Sequence, residues 1–181
     1  MQWAGRAIIL GIMRAAQTVR DHLIRPIPNT LQPGKTTMLK GIPTILSPEL
    51  LMMIAQMGHG DELVIADANF PAVSNAKRLV RADGHGVPVI LEAILRLFPL
   101  DTFVDQPVAV MRRIDKPGEP APIWAEYQRI LDSAEGRHVA MEQVERFAFY
   151  ERAKTTFGVV ATGEGALYGN IIIKKGIIPP A

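Results

Sequence analysis

The chain of 181 residues contains no cysteine, which excludes a disulfide framework, a thiolate metal site and a cysteine nucleophile. It also has no apolar run of the about 18 residues that a membrane-spanning helix needs. A phosphate-binding glycine loop, a His-Glu-x-x-His pair and a Gly-x-Ser-x-Gly elbow are all missing. Nucleotide chemistry, zinc hydrolysis and serine acyl transfer are therefore poor candidates. With 48% hydrophobic and 21% charged residues, the chain has the composition of a globular protein.

The net charge of +2 is unevenly distributed. Residues 1–37 carry five basic side chains and one acidic side chain, so residues 38–181 hold 15 basic and 17 acidic ones. The basic excess belongs to the N-terminal stretch. Residues 38–181 therefore lack the excess of positive charge that would indicate nucleic-acid binding. We expect neither nucleic acid nor a membrane as a partner of residues 38–181.

Residues 1–37 form a predicted N-terminal extension. Three prolines and a glycine between 26 and 36 predict a linker, followed directly by Met38. The extension is an upstream segment, a linker or a misassigned start; its Arg-rich, acid-poor composition also fits an organelle transit peptide, although serine is absent. We therefore expect one domain at 38–181 and a cytoplasmic location, with organelle targeting by residues 1–37 as the alternative.

Hydrophobic periodicity predicts helices that alternate with short strands. Ser47-Pro48-Glu49 is a typical helix start, and Gly58 ends that helix. Further helices are predicted at 88–98, 123–134 and 147–156. Short apolar or β-branched segments predict strands at 63–66, 79–82, 108–111, 159–161 and 171–173. This pattern indicates a single-domain α/β sandwich, in which a mixed sheet of short strands is flanked by helices.

Three polar clusters offer groups for chemistry, at 58–61, 67–71 and 164–170. The first contains His59, and histidine is a natural proton donor or acceptor near neutral pH. The second begins with Asp67 after a predicted strand, where α/β proteins usually bind ligands. In the third, a tyrosine and an asparagine flank a glycine and could grip a polyol. The local patterns fit equally well a turn histidine bonded to Asp61, a turn-forming aspartate and a plain loop.

A second histidine, His85, lies between two glycines in a segment that resembles the surroundings of His59. The repetition raises the question of a metal site that uses both histidines. Two histidines on separate turns support such a site only weakly. We expect no metal and no other cofactor.

Longer motifs occur in collinear order along the body: Ser47-Pro-Glu-Leu-Leu51, Met57-Gly-His-Gly-Asp-Glu62, Ala66-Asp-Ala-Asn-Phe-Pro71, Glu145-Arg-Phe-Ala-Phe-Tyr-Glu-Arg-Ala153 and Tyr168-Gly-Asn-Ile-Ile172. Through them, residues 38–178 resemble the ribose pyranase and fucose mutarotase family. The run at 146–153, which ribose pyranases lack, and Gly169, where they typically carry alanine, indicate the fucose mutarotase branch. The segments at 67–70, 99–101 and 122–124 resemble the animal-type enzymes.

The resemblance implies interconversion of the α and β anomers of L-fucose by acid/base ring opening and closure, without a cofactor. It implies His59 as the proton donor, with Tyr150 and Asp101 as the other catalytic residues. The implied substrate contacts are Asp67, Met111, Arg146, Tyr168 and Asn170. His85 has no role in the family. Family members form ring-like homo-oligomers whose sites are completed across subunit contacts, so the site residues need not meet within one chain.

Mutarotation needs one group that protonates the ring oxygen and one that takes the proton of the anomeric hydroxyl. We expect His59 to serve the ring oxygen, with Asp61 or Asp67 setting its orientation and charge. We expect Tyr150 to serve the anomeric hydroxyl, assisted by Asp101. An ordinary tyrosine, with a pKa of about 10, is a poor base at neutral pH, so a nearby cation has to help.

The residues that could supply this cation are Arg146 and Arg152. Two other functions remain open at this point. One is a ribose pyranase, which interconverts pyranose and furanose forms with nearly the same acid/base groups. The other is a non-catalytic monosaccharide-binding protein on the same scaffold.

Overall fold

The computed structural model describes residues 39–179. The predicted extension at 1–37 lies outside these residues. In chain order the elements are α1 (Pro48–Gln56), β1 (Glu62–Ala66), α2 (Ala72–Asn75), β2 (Leu79–Ala82), α3 (Val87–Leu95), β3 (Val108–Met111), α4 (Pro122–Glu135), β4 (Met141–Val144), α5 (Arg146–Thr155), β5 (Gly158–Thr162) and β6 (Ile171–Lys174). Every predicted helix and strand is present, with ends that differ by at most three residues. The predicted α/β sandwich with a mixed sheet is confirmed.

Two elements were not predicted, α2 and β4. The helix α2 has only four residues and no side-chain cap, so neither periodicity nor a start signal identifies it. The strand β4 has the sequence Met-Glu-Gln-Val and none of its residues is buried. Because β4 lies at the edge of the sheet and buries none of its side chains, it lacks the apolar pattern by which a buried strand is recognised.

The sheet has the strand order β2-β5-β1-β6-β3-β4. Neighbouring strands pair in parallel except on both sides of β6, which is antiparallel to β1 and to β3. Five strands therefore run in one direction and β6 alone runs in the other. As a result, the ends of β1, β3 and β4 and the beginning of β6 meet at the same edge of the sheet.

Alternate residues of the central strands face two separate apolar layers, as the two-residue period of a strand requires. Leu63 and Ile65 of β1 join a large cluster with α1, α3 and α4. Val64 and Ala66 join a smaller cluster on the other face, which α5 covers through Phe149. The sheet is thus a central layer between helices.

Local capping sets two helix starts that matter for the site. The Ser47 side chain accepts the Leu50 N–H at the start of α1. The Glu145 carboxylate accepts the N–H groups of Phe147 and Ala148, at 2.8 and 3.0 Å, at the start of α5. A negative side chain at this position also interacts favourably with the helix dipole. Helix α5 therefore begins directly after the end of β4.

Candidate active site

Asp67 and Asn170 form a pair at the sheet edge where β1 ends and β6 begins. Because Ile65 lies opposite Ile171 in this antiparallel ladder, the residues just beyond them come side by side. The Asn170 side-chain N–H donates to Asp67 Oδ2 at 2.7 Å, and the Asp67 backbone N–H donates to Asn170 Oδ1 at 2.9 Å. Both side chains are buried. Each therefore fixes the position of the other.

The Asp67 carboxyl group combines burial with several hydrogen-bond donors. Burial raises the pKa of Asp67, while the N–H groups of Asn69, Gly169 and Phe70 and the Asn170 side chain oppose the rise. The Asn69 N–H lies 3.0 Å from Asp67 Oδ1. An ordered carboxyl group at the end of a strand in an α/β sheet is in the usual place for a ligand-binding group.

A cavity of about 190 Å³ opens beside this pair, and we call it the edge pocket. It brings together Tyr150 and all five predicted substrate contacts. The lining residues are Asp67, Asn69, Phe70, Met111, Arg146, Tyr150, Leu167, Tyr168 and Asn170. Asn69 and Phe70 were not predicted as contacts, although they belong to the polar cluster at 67–71. Leu167 is an exposed apolar side chain for which the sequence carries no signal.

Arg146 and Tyr150 reach the edge pocket from the first turns of α5. They are four residues apart in the helix, so their side chains share a face. The Arg146 guanidinium lies 4.6 Å from the centroid of the Phe147 ring, and the rings of Phe70 and Tyr150 are 5.6 Å apart. The Arg146 Nε atom is buried and has no hydrogen-bond partner among the described residues. A buried donor without an acceptor is costly, so Arg146 is suited to receive an acceptor from a ligand.

Tyr168 has a left-handed backbone, with φ of +60°, and is the only non-glycine residue with a positive φ in the part of the chain that the structure describes. This conformation costs on the order of 1–3 kcal/mol for such a residue, and strain of this kind clusters at functional sites. The Tyr168 hydroxyl accepts the Ile114 N–H at 3.4 Å. Arg113, with a smaller contribution from the Tyr168 hydroxyl, holds the pKa of Asp115 well below its usual range.

A second polar cluster, the His59–Asp101 pair, lies at the beginning of β1. His59 Nε2 is 3.2 Å from Asp101 Oδ1. The Asp101 side chain is 4% exposed and that of His59 is 45% exposed. Burial favours the neutral acid, but the Phe103 N–H and the His59 ring outweigh it and hold the pKa of Asp101 below its usual value. Asp101 is thus a buried carboxylate that orients a half-exposed histidine.

The acid in contact with His59 is Asp101, not Asp61 or Asp67. Asp61 closes its own turn, because its Oδ2 accepts the Gly58 N–H at 2.8 Å. Asp67 lies beyond the far end of β1. The interpretation of His59 as a turn histidine bonded to Asp61 is therefore wrong, because His59 contacts Asp101 and the Asp61 carboxylate accepts the Gly58 N–H.

The edge pocket and the His59–Asp101 pair do not meet within one chain. His59 precedes β1 and Asp67 follows it, and a strand of this length extends about 17 Å. Tyr150 lines the edge pocket, whereas Asp101 contacts His59. Help from Asp101 to Tyr150 is therefore not seen within a single chain.

Arg152 is committed to another ion-pair network. Its guanidinium donates to both carboxyl oxygens of Glu62 at 3.0 and 2.8 Å, and to Glu142 at 2.6 Å. Lys174 lies 2.9 Å from the same Glu62 carboxylate. This network ties α5 to β1, β4 and β6. Of the two arginines considered as the cation near Tyr150, Arg146 is the one that shares its pocket.

No group of three or more histidine, aspartate and glutamate side chains in residues 39–179 could hold a metal ion. His85 is exposed in the turn between β2 and α3. Within the same residues, no helix is both long and apolar enough to cross a bilayer.

The fold and its edge pocket define a single-sheet α/β protein with a small pocket, lined by both polar and apolar side chains, at the strand ends. The model of the RbsD / FucU transport protein family matches residues 40–178, and the chain belongs to this family. The fucose mutarotase of Danio rerio is 58% identical over 149 residues, which cover 79% of this chain and 96% of that protein. The fucose mutarotase of Homo sapiens is 56% identical over 146 residues, with coverages of 77% and 94%.

A solved structure gives the same likeness in three dimensions. The crystal structure of the fucose mutarotase of Streptococcus pneumoniae in complex with L-fucose is 42% identical to this chain. The match has a TM-score of 0.71 and covers 78% of this chain and 100% of that one.

Proposed function

We propose that this chain is an L-fucose mutarotase, a cofactor-independent isomerase that interconverts the α and β anomers of the free sugar. The observation that carries the proposal is the edge pocket, which gathers Asp67, Arg146, Tyr150, Tyr168 and Asn170 in one cavity. Relatives more than 50% identical over most of the chain bear the name fucose mutarotase. A small neutral sugar offers the hydroxyl groups that such a set of donors and acceptors can bind.

Mutarotation breaks the bond between the anomeric carbon and the ring oxygen and then forms it again on the other face. The ring oxygen gains a proton while the anomeric hydroxyl loses one, so charge and electrons balance without a redox step. The open-chain aldehyde rotates before the ring closes. A positioned general acid and base contribute typically about 10²–10⁴-fold to the rate.

In the proposed roles, the buried Asp67–Asn170 pair and Tyr168 bind the sugar hydroxyls, and Met111 contributes an apolar wall. Tyr150 takes the proton of the anomeric hydroxyl. The unpartnered Arg146 Nε–H donates to the sugar on the same side and stabilises the oxygen that becomes negative.

His59 completes the site as the proton donor to the ring oxygen, and we propose that it comes from a second copy of the chain. The separation of His59 from the edge pocket along β1 supports a head-to-tail contact, in which one end of each copy meets the other end of the next. Such heterologous contacts close into a ring when the rotation from one copy to the next adds up to a full turn. Exposed apolar side chains occur at both ends: Phe103, 70% exposed, beside His59, and Leu167, 67% exposed, at the edge pocket.

The proposal is tested by saturation-transfer NMR of anomer exchange in L-fucose. His59→Ala and Tyr150→Phe should each lose exchange by at least about 100-fold, whereas the exposed His85→Ala variant should retain it. Exchange at the wild-type rate in both site variants would refute the assigned roles. Mixing the two inactive variants after joint unfolding and refolding should restore part of the activity, because some interfaces then combine an intact His59 with an intact Tyr150.

Two further measurements distinguish a fucose mutarotase from the two alternative functions. Exchange measured with ribose beside fucose, at equal enzyme, identifies a ribose pyranase if ribose is the faster substrate. Fucose binding by calorimetry without faster exchange would identify a non-catalytic binding protein.

Domain division at Met38 and a cytoplasmic location remain proposals. The family match, which begins at residue 40, supports a domain that starts near Met38. Fluorescent fusions of the full chain and of residues 38–181 test the location. The same cytoplasmic distribution for both fusions would support the location, whereas organelle staining that requires residues 1–37 would refute it.

A further inference from the structure

Helix α4 holds the loop before β6 with two hydrogen bonds to consecutive carbonyl groups. The Trp124 Nε1–H donates to the carbonyl of Tyr168 at 3.0 Å, and the Tyr127 hydroxyl donates to the carbonyl of Gly169 at 2.7 Å. Trp124 and Tyr127 lie three residues apart in α4, so they share one face of the helix. Both are buried.

The loop is also packed tightly on the side of Asp67. A Cβ atom at Gly169 would lie 3.0 Å from the Ala166 carbonyl oxygen and 3.3 Å from Asp67 Cβ. The backbone therefore has little room to move towards Asp67, while α4 holds it by its carbonyl groups. Tyr168, with its unfavourable φ of +60°, is the first of the two residues held in this way.

The side chains of Trp124 and Tyr127 can hold the loop at any working pH, because neither loses its donor proton. Burial raises the pKa of Tyr127, so its hydroxyl group stays protonated and keeps its donor across the whole working pH range. Indole and phenol groups in a core usually find a partner, but here both partners belong to the strained turn that carries Tyr168 and leads into Asn170.

We propose that Trp124 and Tyr127 are positioning residues of the edge pocket, which hold Tyr168 in its left-handed conformation and so direct its side chain towards the ligand. This inference rests on the proposed function of the edge pocket. They act through the loop backbone and do not themselves line the pocket. Without these bonds, Tyr168 relaxes towards a common backbone conformation and its contact with the sugar is lost.

The first test is independent of any activity. Amide hydrogen exchange, followed by mass spectrometry on a peptide spanning 166–170, is compared between Tyr127→Phe and Ile130→Val. The control removes one methyl group from another buried residue of the same helix. We expect faster exchange of this peptide in Tyr127→Phe alone. Equal protection in the two variants would overturn the proposal.

The second test asks whether the held conformation matters for the sugar. At a temperature where all variants are fully folded, Tyr127→Phe should raise the KM for L-fucose by about tenfold, and Ile130→Val by less than about twofold. Trp124→Phe should behave as Tyr127→Phe. An unchanged KM, with the loop measurably loosened, would refute the positioning role.

The third test asks whether Tyr127 acts through Tyr168. In a Tyr168→Gly background the backbone adopts a positive φ without being held, and the side chain to be positioned is gone. The added effect of Tyr127→Phe on KM should then fall below about threefold. A full tenfold effect in this background would show that Tyr127 does not act through Tyr168. If the wild-type protein shows no fucose exchange at all, the proposed function fails, while the hydrogen-exchange comparison still decides whether α4 holds the loop.

Discussion

Asp101 contacts His59 through Nε2 across 42 positions of the chain, as a buried carboxylate against a half-exposed imidazole. In the proposed site, the other ring nitrogen, Nδ1, is therefore the one that faces the substrate. Asp101→Asn should lower fucose anomer exchange by at least about tenfold, because the ring loses the charge that orients it. The control is Asp132→Asn, which alters a comparable pair, Asp132 Oδ2 with His138 Nδ1 at 3.3 Å. Equal losses in both variants would contradict a role specific to His59.

The lowered pKa of Asp101 also predicts how stability depends on pH. A carboxyl group whose pKa is lower in the folded than in the unfolded chain stabilises the fold above its unfolded pKa of about 3.9. That stabilisation is lost as the pH falls through the folded pKa. The difference in Tm between the wild type and Asp101→Asn should thus shrink as the pH falls below about 4. Calorimetric scans from about pH 5 downwards measure it, and a difference that widens below about pH 4 would contradict the assignment.

A substitution of Arg146 should weaken sugar binding without destabilising the fold. The buried Nε of Arg146 has no partner to lose, so Arg146→Met should leave the free energy of unfolding within about 0.5 kcal/mol of the wild type or raise it. The same change should raise the KM for fucose by about tenfold or more, since a charged donor to the sugar disappears. Denaturant titration and exchange kinetics measure the two quantities. A marked loss of stability with unchanged KM would reverse the interpretation of this residue.

The Asp67–Asn170 pair predicts a pH-sensitive defect. Asn170→Asp puts two carboxyl groups where one N–H donor now reaches Asp67 at 2.7 Å, so one of them must take up a proton or the pair separates. We expect a loss of about 1–3 kcal/mol at neutral pH that becomes smaller as the pH is lowered towards 5. Asn75→Asp is the matched control, because the buried Asn75 donates to the Pro71 carbonyl outside the edge pocket. Only Asn170→Asp should also raise the KM for fucose.

Local sequence patterns were sufficient for most of the fold. Helix α1 carries a hydroxyl cap and a proline at its start, and the strands around Val64 and Ile172 are apolar apart from Glu62 at the start of β1 and Lys174 at the end of β6. The strand order could not be predicted in this way, since pairing depends on contacts between segments far apart in the chain. The reversal of β6, which brings Asn170 beside Asp67, has no local signature.

The same limit applies to the candidate site. The family resemblance predicted Tyr150 and the substrate contacts that line the edge pocket. The fold then brings these residues together from segments as far apart in the chain as Asp67 and Asn170. The local pattern suggested that His59 pairs with a nearby acid, Asp61. In the structure, the Asp61 carboxylate instead accepts the Gly58 N–H within its own turn. Local patterns also did not single out Trp124 and Tyr127, because a buried aromatic residue in an amphipathic helix has the same sequence pattern whether it fills the core or holds a loop.

Phe103 tests the assembly on which the proposed site depends. Its ring lies 5.3 Å from that of His59 and is largely exposed, so it would be buried in a head-to-tail contact with the edge pocket of a second copy. Phe103→Glu should convert the proposed ring-like oligomer into smaller species and lower exchange by at least about tenfold, while leaving the fold of each chain intact, because an unpaired charge is costly to bury. Val89→Glu, at an exposed apolar position of α3, serves as the control and should change neither property. Sedimentation velocity and far-UV circular dichroism measure assembly and folding. A Phe103→Glu protein that keeps both its oligomeric state and its full activity would contradict the shared site.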